Sequence, residues 1–128
     1  MTTWTSNELN KIGTAEELQI ASLRSDGTLR TPRIIWVVRI SDDLYVRSVN
    51  GRTSDWFRGV QTKYAGHIRA GGVDKDVTFI EENDSNINDQ IDVAYTTKYR
   101  RYARIAKSMT TPVVRATTIK LVPRQTNS

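Results

Sequence analysis

The stretch from Tyr45 to Gly59, YVRSVNGRTSDWFRG, gathers the groups best able to do chemistry in this 128-residue chain. A phosphate-like anion needs charge-assisted donors held in a fixed fork. Arg47 and Arg58 lie in this stretch, and Arg30 and Arg33 precede an apolar run just upstream. Ser48 and Thr53 add hydroxyls, Asn50 adds an amide, and Gly51 lets a backbone approach a ligand with no Cβ in the way. A helix starting near Ser54 would turn free N–H groups and a positive dipole end toward the same place. An ordinary surface turn explains the same residues if the arginines pair with Asp42, Asp43 or Asp55. Alternation along the strand also puts Ser48 on the face of Leu44 and Val46, and Arg47 on the other. Both reach one pocket only if the strand bulges or the site lies at its very end.

Two tryptophans offer flat apolar surfaces. Trp36 lies within an apolar run and reads first as core. Trp56, at a helix start, is balanced between core and ligand contact. There is no cysteine and one histidine, His67. Thiol nucleophiles, zinc–thiolate sites and disulfides are therefore excluded, and a His-rich metal site cannot form within one chain. His67, beside Gly66 at a strand start, reads as a partly exposed structural residue rather than an acid–base group.

The composition, 38% hydrophobic and 26% charged, is that of an ordinary globular domain. One domain over residues 1–128 is expected. No window approaches the roughly 18 apolar residues of a membrane span. MTTWTSNEL lacks a basic-then-apolar signal pattern, so a cytoplasmic location is expected. The net charge is +5, with eight bases and no acid in residues 98–128. Acids concentrate instead between Asp74 and Asp92. A basic block interleaved with Tyr95, Tyr99 and Tyr102 can bind single-stranded nucleic acid. Pairing of the two charged blocks within the fold accounts for it more simply, and nucleic acid is not the favoured partner.

The elements that would position these groups are short. Thr5 and Glu8 form a capping box, with Trp4 and Leu9 at staple spacing and Gly13 as a stop. Leu18–Arg24 predicts a strand, and Arg33–Ile40 a stronger one, with Ile34, Trp36, Val38 and Ile40 on its apolar face. Leu44–Val49 returns as a hairpin partner. A helix over about 54–64 would bury Trp56, Phe57, Val60 and Tyr64. His67–Ala70 and Val77–Ile80 form a second hairpin through Gly71-Gly72 and a charged turn at Asp74–Asp76. A long helix spans about 86–106, and Pro112 interrupts before a last strand, Ala116–Pro123. Strands in hairpins with flanking helices predict a mainly β, α+β chain curled into a small barrel.

These motifs resemble a known group. Thr31-Pro32-Arg33 entering an apolar strand, then DDLYVRSVNG, a Trp at the next helix start and IRAGGVDKDVTF are similar to the flavin-binding split barrels. That superfamily includes pyridoxamine-phosphate-oxidase-like proteins and deazaflavin-dependent nitroreductases. More narrowly, residues 4–123 resemble the family called domain of unknown function 2255, through W-T-x-x-E-L, I-W-V-V-R, L-Y-V-R-S-V-N-G, W-x-R-G and A-G-G-V-x-x-D-V-T-F. The resemblance implies a split β-barrel that forms a homodimer, with cofactor clefts at the interface for FMN or the deazaflavin F420, or sometimes haem. It implies cofactor contacts from Arg30, Arg33, Trp36, Arg47, Ser48, Asn50, Gly51, Thr53, Trp56 and Arg58, and an oxidoreductase. The alternative is a non-enzymatic dimeric barrel that binds a small ligand without flavin. No residue is assigned as catalytic.

Overall fold

The computed structural model describes residues 3–124. The tail QTNS, expected to fray, lies outside the described residues. The strands are β1 Leu18–Ser22, β2 Arg33–Ile35, β3 Val37–Ile40, β4 Asp43–Val46, β5 Ala65–Ala70, β6 Val73–Glu81 and β7 Ile119–Pro123. The helices are α1 Ser6–Thr14, α2 Asp55–Lys63, α3 Ser85–Lys98, α4 Ala103–Ser108 and α5 Pro112–Arg115.

All seven strands join one antiparallel sheet in the order β2-β1-β5-β6-β7-β4-β3. Its two edges, β2 and β3, are consecutive in sequence and separated only by Trp36. The chain thus steps from one edge of the sheet to the other across one residue, which wraps the sheet into a nearly closed barrel and leaves little open edge. This corrects the expected unbroken strand Arg33–Ile40. Its first half pairs with β1, Leu18 opposite Ile35, and its second half with β4, Val37 opposite Val46. Splitting the strand also splits its apolar face, and Ile34 is 61% exposed.

Alternation then builds two cores. Leu18, Ile20, Val37, Leu44, Val46, Ile68, Val77, Phe79, Ile119 and Leu121 fill the interior. Trp4, Leu9 and Ile12 of the α1 region and Trp56, Phe57 and Val60 of α2 pack against this cluster. The opposite face of β3 and β4, through Val38 and Tyr45, packs with Ile91, Tyr95, Tyr99, Ala106 and Met109. Val37, Leu44 and Val46 on one face and Val38 and Tyr45 on the other therefore each have a covering layer, which is why this part of the hairpin is apolar on both faces.

The ends of the elements follow local chemistry. Thr5 caps α1: its hydroxyl accepts from Glu8 N–H at 3.1 Å, and Glu8 accepts from Thr5 N–H at 2.9 Å. Trp4 is fixed behind the cap by its indole N–H on the Leu121 carbonyl, 2.9 Å. Gly13 does not end the helix, which runs to Thr14. Tyr64 is not buried; it closes α2 in the left-handed region at φ 54° and is 37% exposed. Gly71 and Gly72, at φ 57° and 85°, form a two-residue turn. Asp74–Asp76 consequently belong to β6, not to a charged turn. The last strand starts at Ile119, and Pro112 opens α5 at its first turn, where its missing N–H costs nothing.

The predicted long helix is broken. α3 stops at Lys98, a 3-10 turn covers Arg100–Tyr102, and α4 follows. The break falls at Tyr99, whose buried hydroxyl accepts from Val37 N–H at 3.1 Å and donates to the Glu16 carbonyl at 2.7 Å. Its ring stacks on Trp36, with centroids 3.8 Å apart and planes 3° from parallel. A continuous amphipathic helix would carry Tyr102 and Ile105 inward, whereas they are 37% and 49% exposed.

Thr5→Ala removes the reciprocal cap and is expected to cost about 1 kcal/mol in urea unfolding. An unchanged midpoint and slope would mean that the α1 cap does not contribute to the fold.

Candidate functional site

A concave cleft of about 830 Å³ opens where β2, the end of β4 and the start of α2 meet. Seven expected site residues line it: Arg33, Trp36, Arg47, Ser48, Asn50, Thr53 and Trp56. Ile34, Val49, Ser54, Ile105 and Met109 join them, none of which was among the expected cofactor contacts. Arg30 and Arg58 lie elsewhere. They line a second cleft of about 380 Å³ with Ser22, Arg24 and Gly59. The two clefts share Arg33, Asp55 and Trp56. Gly51 lines neither; it is buried at φ 71°, facing Val113 of α5.

Ser48 is positioned by three constraints. It follows β4 in the inward phase, its N–H donates to Thr117 Oγ1 at 2.9 Å, and its hydroxyl shares a 2.7 Å hydrogen bond with Ser54 Oγ. That bond occupies the Ser54 hydroxyl, so the N-cap of α2 makes no side-chain bond to the first turn of the helix. Thr53 Oγ1 is committed to the Asn50 carbonyl at 3.0 Å. The rim of the larger cleft is thus hydroxyl, amide and backbone N–H, and its exposed charges, Arg33 and Asp55, face each other as an ion pair.

Arg47 is the exception to the expected phosphate fork. Its side chain is fully buried and turned to the opposite side from Ser48, under α3. Nε donates to Thr118 Oγ1 at 2.9 Å. Nη1 donates to Asp92 Oδ1 at 2.5 Å and the Met109 carbonyl at 2.9 Å. Nη2 donates to the Asn88 carbonyl at 3.1 Å and Asn88 Oδ1 at 2.9 Å. Five donors meet five acceptors, so the guanidinium has none left for a ligand. Asp92 also pairs with Arg115, 2.7 Å away, and Arg115 with Asp89 at 2.8 Å. Part of the basic C-terminal block is thereby neutralised within the fold.

Arg33 and Arg58 are exposed and pair with Asp55 at 3.7 and 2.8 Å. Trp36 has one side against Tyr99 and also borders the larger cleft. Trp56 is 8% exposed and meets Phe57 edge-on. Lys98, beside the Tyr99 ring, donates to the Val37 carbonyl at 2.6 Å. Burial pulls its ammonium down to about 8, against an opposing pull from Glu16. His67 lies away from both clefts, in a third pocket on the β1–β5–β6 side. Its Nδ1 pairs with Asp76 at 2.7 Å and its Nε2 with Asp74. Among the described residues no group of acids and histidine is arranged to hold a metal ion.

A family model described as an uncharacterized protein conserved in bacteria (DUF2255) matches residues 8–121. The chain belongs to this family. No curated protein matches it. The DUF2255 chain is similar in fold to solved structures at low identity. One is the haem storage protein HutZ of Vibrio cholerae, with TM-score 0.64 and 15% identity over 94% of this chain and 91% of that one. A second is an F420-H2-dependent reductase, with TM-score 0.59 and 13% identity over 84% and 93%. A third is an FAD-binding protein of Mesorhizobium loti, with TM-score 0.56 and 16% identity over 96% and 92%. These likenesses carry the split-barrel fold.

Two outcomes follow from the side-chain environments. Arg47→Met strips Asn88, Met109 and Thr118 of a buried donor and is expected to cost about 3–5 kcal/mol in urea unfolding. A loss below about 1 kcal/mol would show that these buried hydrogen bonds do not hold the fold together. For His67, burial alone lowers the imidazole pKa, but hydrogen bonds to Asp76 and Asp74 and their charges leave it above its ordinary 6.5. A raised folded-state pKa contributes fully below the unfolded value and is lost as pH climbs through the folded one. Melting temperature is therefore expected to fall as pH rises above 6.5, and His67→Gln to flatten that fall. An equal slope in the variant would assign the dependence to another group.

Proposed function

We propose that this chain binds a flavin-type cofactor, FMN or the deazaflavin F420, in the larger cleft and acts as an oxidoreductase. The observation that carries the reading is the cleft itself. It joins two tryptophans, Trp36 and Trp56, to a rim of Ser48, Asn50, Thr53 and Ser54 at a helix start with no side-chain cap. Apolar walls with a few convergent polar groups are what a bound ring system requires. The volume, about 830 Å³, lies within the usual range for such sites. A flavin supplies hydride chemistry when bound, so the protein needs to provide position, dryness and donors. Trp36, backed by Tyr99, offers a rigid flat wall. Met109, together with Ile34, Val49 and Ile105 once a second copy covers them, would keep water off the ring's side of the cleft. The Ser48–Ser54 pair and the free N–H groups of α2 offer donors at its end.

Solved structures similar in fold are described as binding haem, using F420-H2 and binding FAD. Haem is the less suited of the three here. The one histidine of the chain lies in another pocket, so a haem in the larger cleft would have no imidazole ligand from this chain.

The protein is proposed to work as a homodimer. Ile34, Val49 and Ile105 border the cleft and are 61%, 49% and 49% exposed. A cluster of large apolar side chains around a cleft is a surface that a second copy would cover. The alternative, a ligand-binding barrel without redox chemistry, is favoured by the larger cleft's only ionisable acid, Asp55, being already paired with arginines.

Titration with FMN and with F420, followed by cofactor fluorescence, tests the reading. One of the two is expected to saturate, and Trp36→Leu to raise its dissociation constant about tenfold with the fold retained. Failure of both to bind would remove the cofactor reading and leave the non-redox barrel.

A further inference from the structure

The smaller cleft holds an unusual excess of positive charge. Arg24, Arg30, Arg33 and Arg58 line it against one carboxylate, Asp55. Asp55 is already paired with Arg58 and Arg33. Arg24 is held by Thr28 and the Leu29 carbonyl. Arg30 differs: its Nε is buried with no hydrogen-bond partner. Beside it, Ser22 Oγ is likewise buried and unpartnered, on a residue only 2% exposed.

Both orphaned groups converge on the backbone of α2 at Gly59. A Cβ on Gly59 would collide with Ser22 Oγ and lie 3.0 Å from Arg30 Nε. Glycine therefore lets Ser22 and Arg30 pack directly on the helix backbone, which brings a free hydroxyl and a free guanidinium N–H close together. Leaving a buried polar group unpaired costs roughly 1–3 kcal/mol. Two such groups side by side, in a cleft also lined by Arg24, Arg33 and Arg58, are arranged for an acceptor that carries several negative oxygens.

We propose that this cleft is an anion site for a phosphate group, with Ser22 and Arg30 as its inner donors and Arg33 and Arg58 at its mouth. A phosphate dianion matches the surplus of guanidiniums and supplies acceptors to both orphaned donors at once. Trp56 and Arg33 line this cleft and the larger one, so the phosphate can be free or can be the charged arm of a molecule whose ring sits next door. The inference does not depend on the cofactor reading, because the orphaned donors and the charge belong to the smaller cleft alone.

The test is calorimetric titration of the full chain with inorganic phosphate at fixed ionic strength, for the wild type, Ser22→Ala and Arg30→Gln. The wild type is expected to bind phosphate, and each variant to bind about tenfold more weakly. Ser22→Ala is expected to melt at the same temperature or higher without phosphate, since it removes an unpaired hydroxyl; a purely structural serine would lower the melting point. FMN and riboflavin, run in parallel, identify the source. If Arg30→Gln abolishes a preference for FMN over riboflavin, the site takes the cofactor's phosphate. If phosphate binding falls in the variants while FMN and riboflavin bind alike or not at all, it takes free phosphate, and the proposal stands apart from the cofactor reading. Wild-type protein that binds no inorganic phosphate and shows no preference for FMN overturns the proposal even where flavin binds. Variants that bind phosphate as tightly as the wild type overturn it as well.

Discussion

The fold around the cleft depends on one buried charge. A guanidinium with no solvent must find an acceptor for every N–H, or the cost of burying it goes uncompensated. Arg47 finds five, and they come from different parts of the chain: Asn88 and Asp92 on α3, Met109 after α4, and Thr118 ahead of β7. Meeting that demand fixes the outer helical layer against the end of β4. Thr118 is itself bonded to Asn88 Oδ1 at 2.6 Å, so the acceptors hold one another as well as the arginine.

The larger cleft is a consequence of this weld. With Arg47 drawn outward beneath α3, the next residue, Ser48, comes to the inner side at the barrel mouth and meets Ser54. Met109, whose carbonyl accepts from Arg47, forms part of the cleft wall. Trp36, which also lines the cleft, stands at the single-residue step between the two sheet edges. It is steadied by Tyr99, whose hydroxyl is tied to the backbone of Val37 and Glu16. Closure of the barrel and shaping of the cleft therefore use the same few residues. The neighbouring, smaller cleft holds more positive charge, and there the Arg30 Nε is not consumed by the fold's own acceptors in the way Arg47 is.

Local signals were legible wherever the physics is local. The Thr5–Glu8 cap, the Gly71-Gly72 turn and the burial of Trp56, Phe57 and Val60 depend on near neighbours in sequence, and each is present. The split-barrel class was legible too, from hairpin spacing and from motif resemblance. Two breaks in regular structure were not. At Trp36 and at Tyr99 the periodicity continues unbroken, and only contacts between residues about 60 apart interrupt it, as in the Val37–Tyr99 hydrogen bond. Of the expected site residues, alternation had already set Arg47 against Ser48, and the structure resolves that conflict by giving Arg47 to the core. Gly59 was the missed clue. A glycine inside a helix weakens it unless something must come close, and here Ser22 and Arg30 do.

A crystal structure grown with FMN would decide whether the barrel mouth is a ligand cleft framed by an arginine committed to the fold. Density for the ring is expected beside Trp36, with Arg47 still bonded to Asp92 and Asn88. An Arg47 side chain swung out to contact the ligand, or a mouth closed by neighbouring side chains with the ring bound elsewhere, would contradict that expectation.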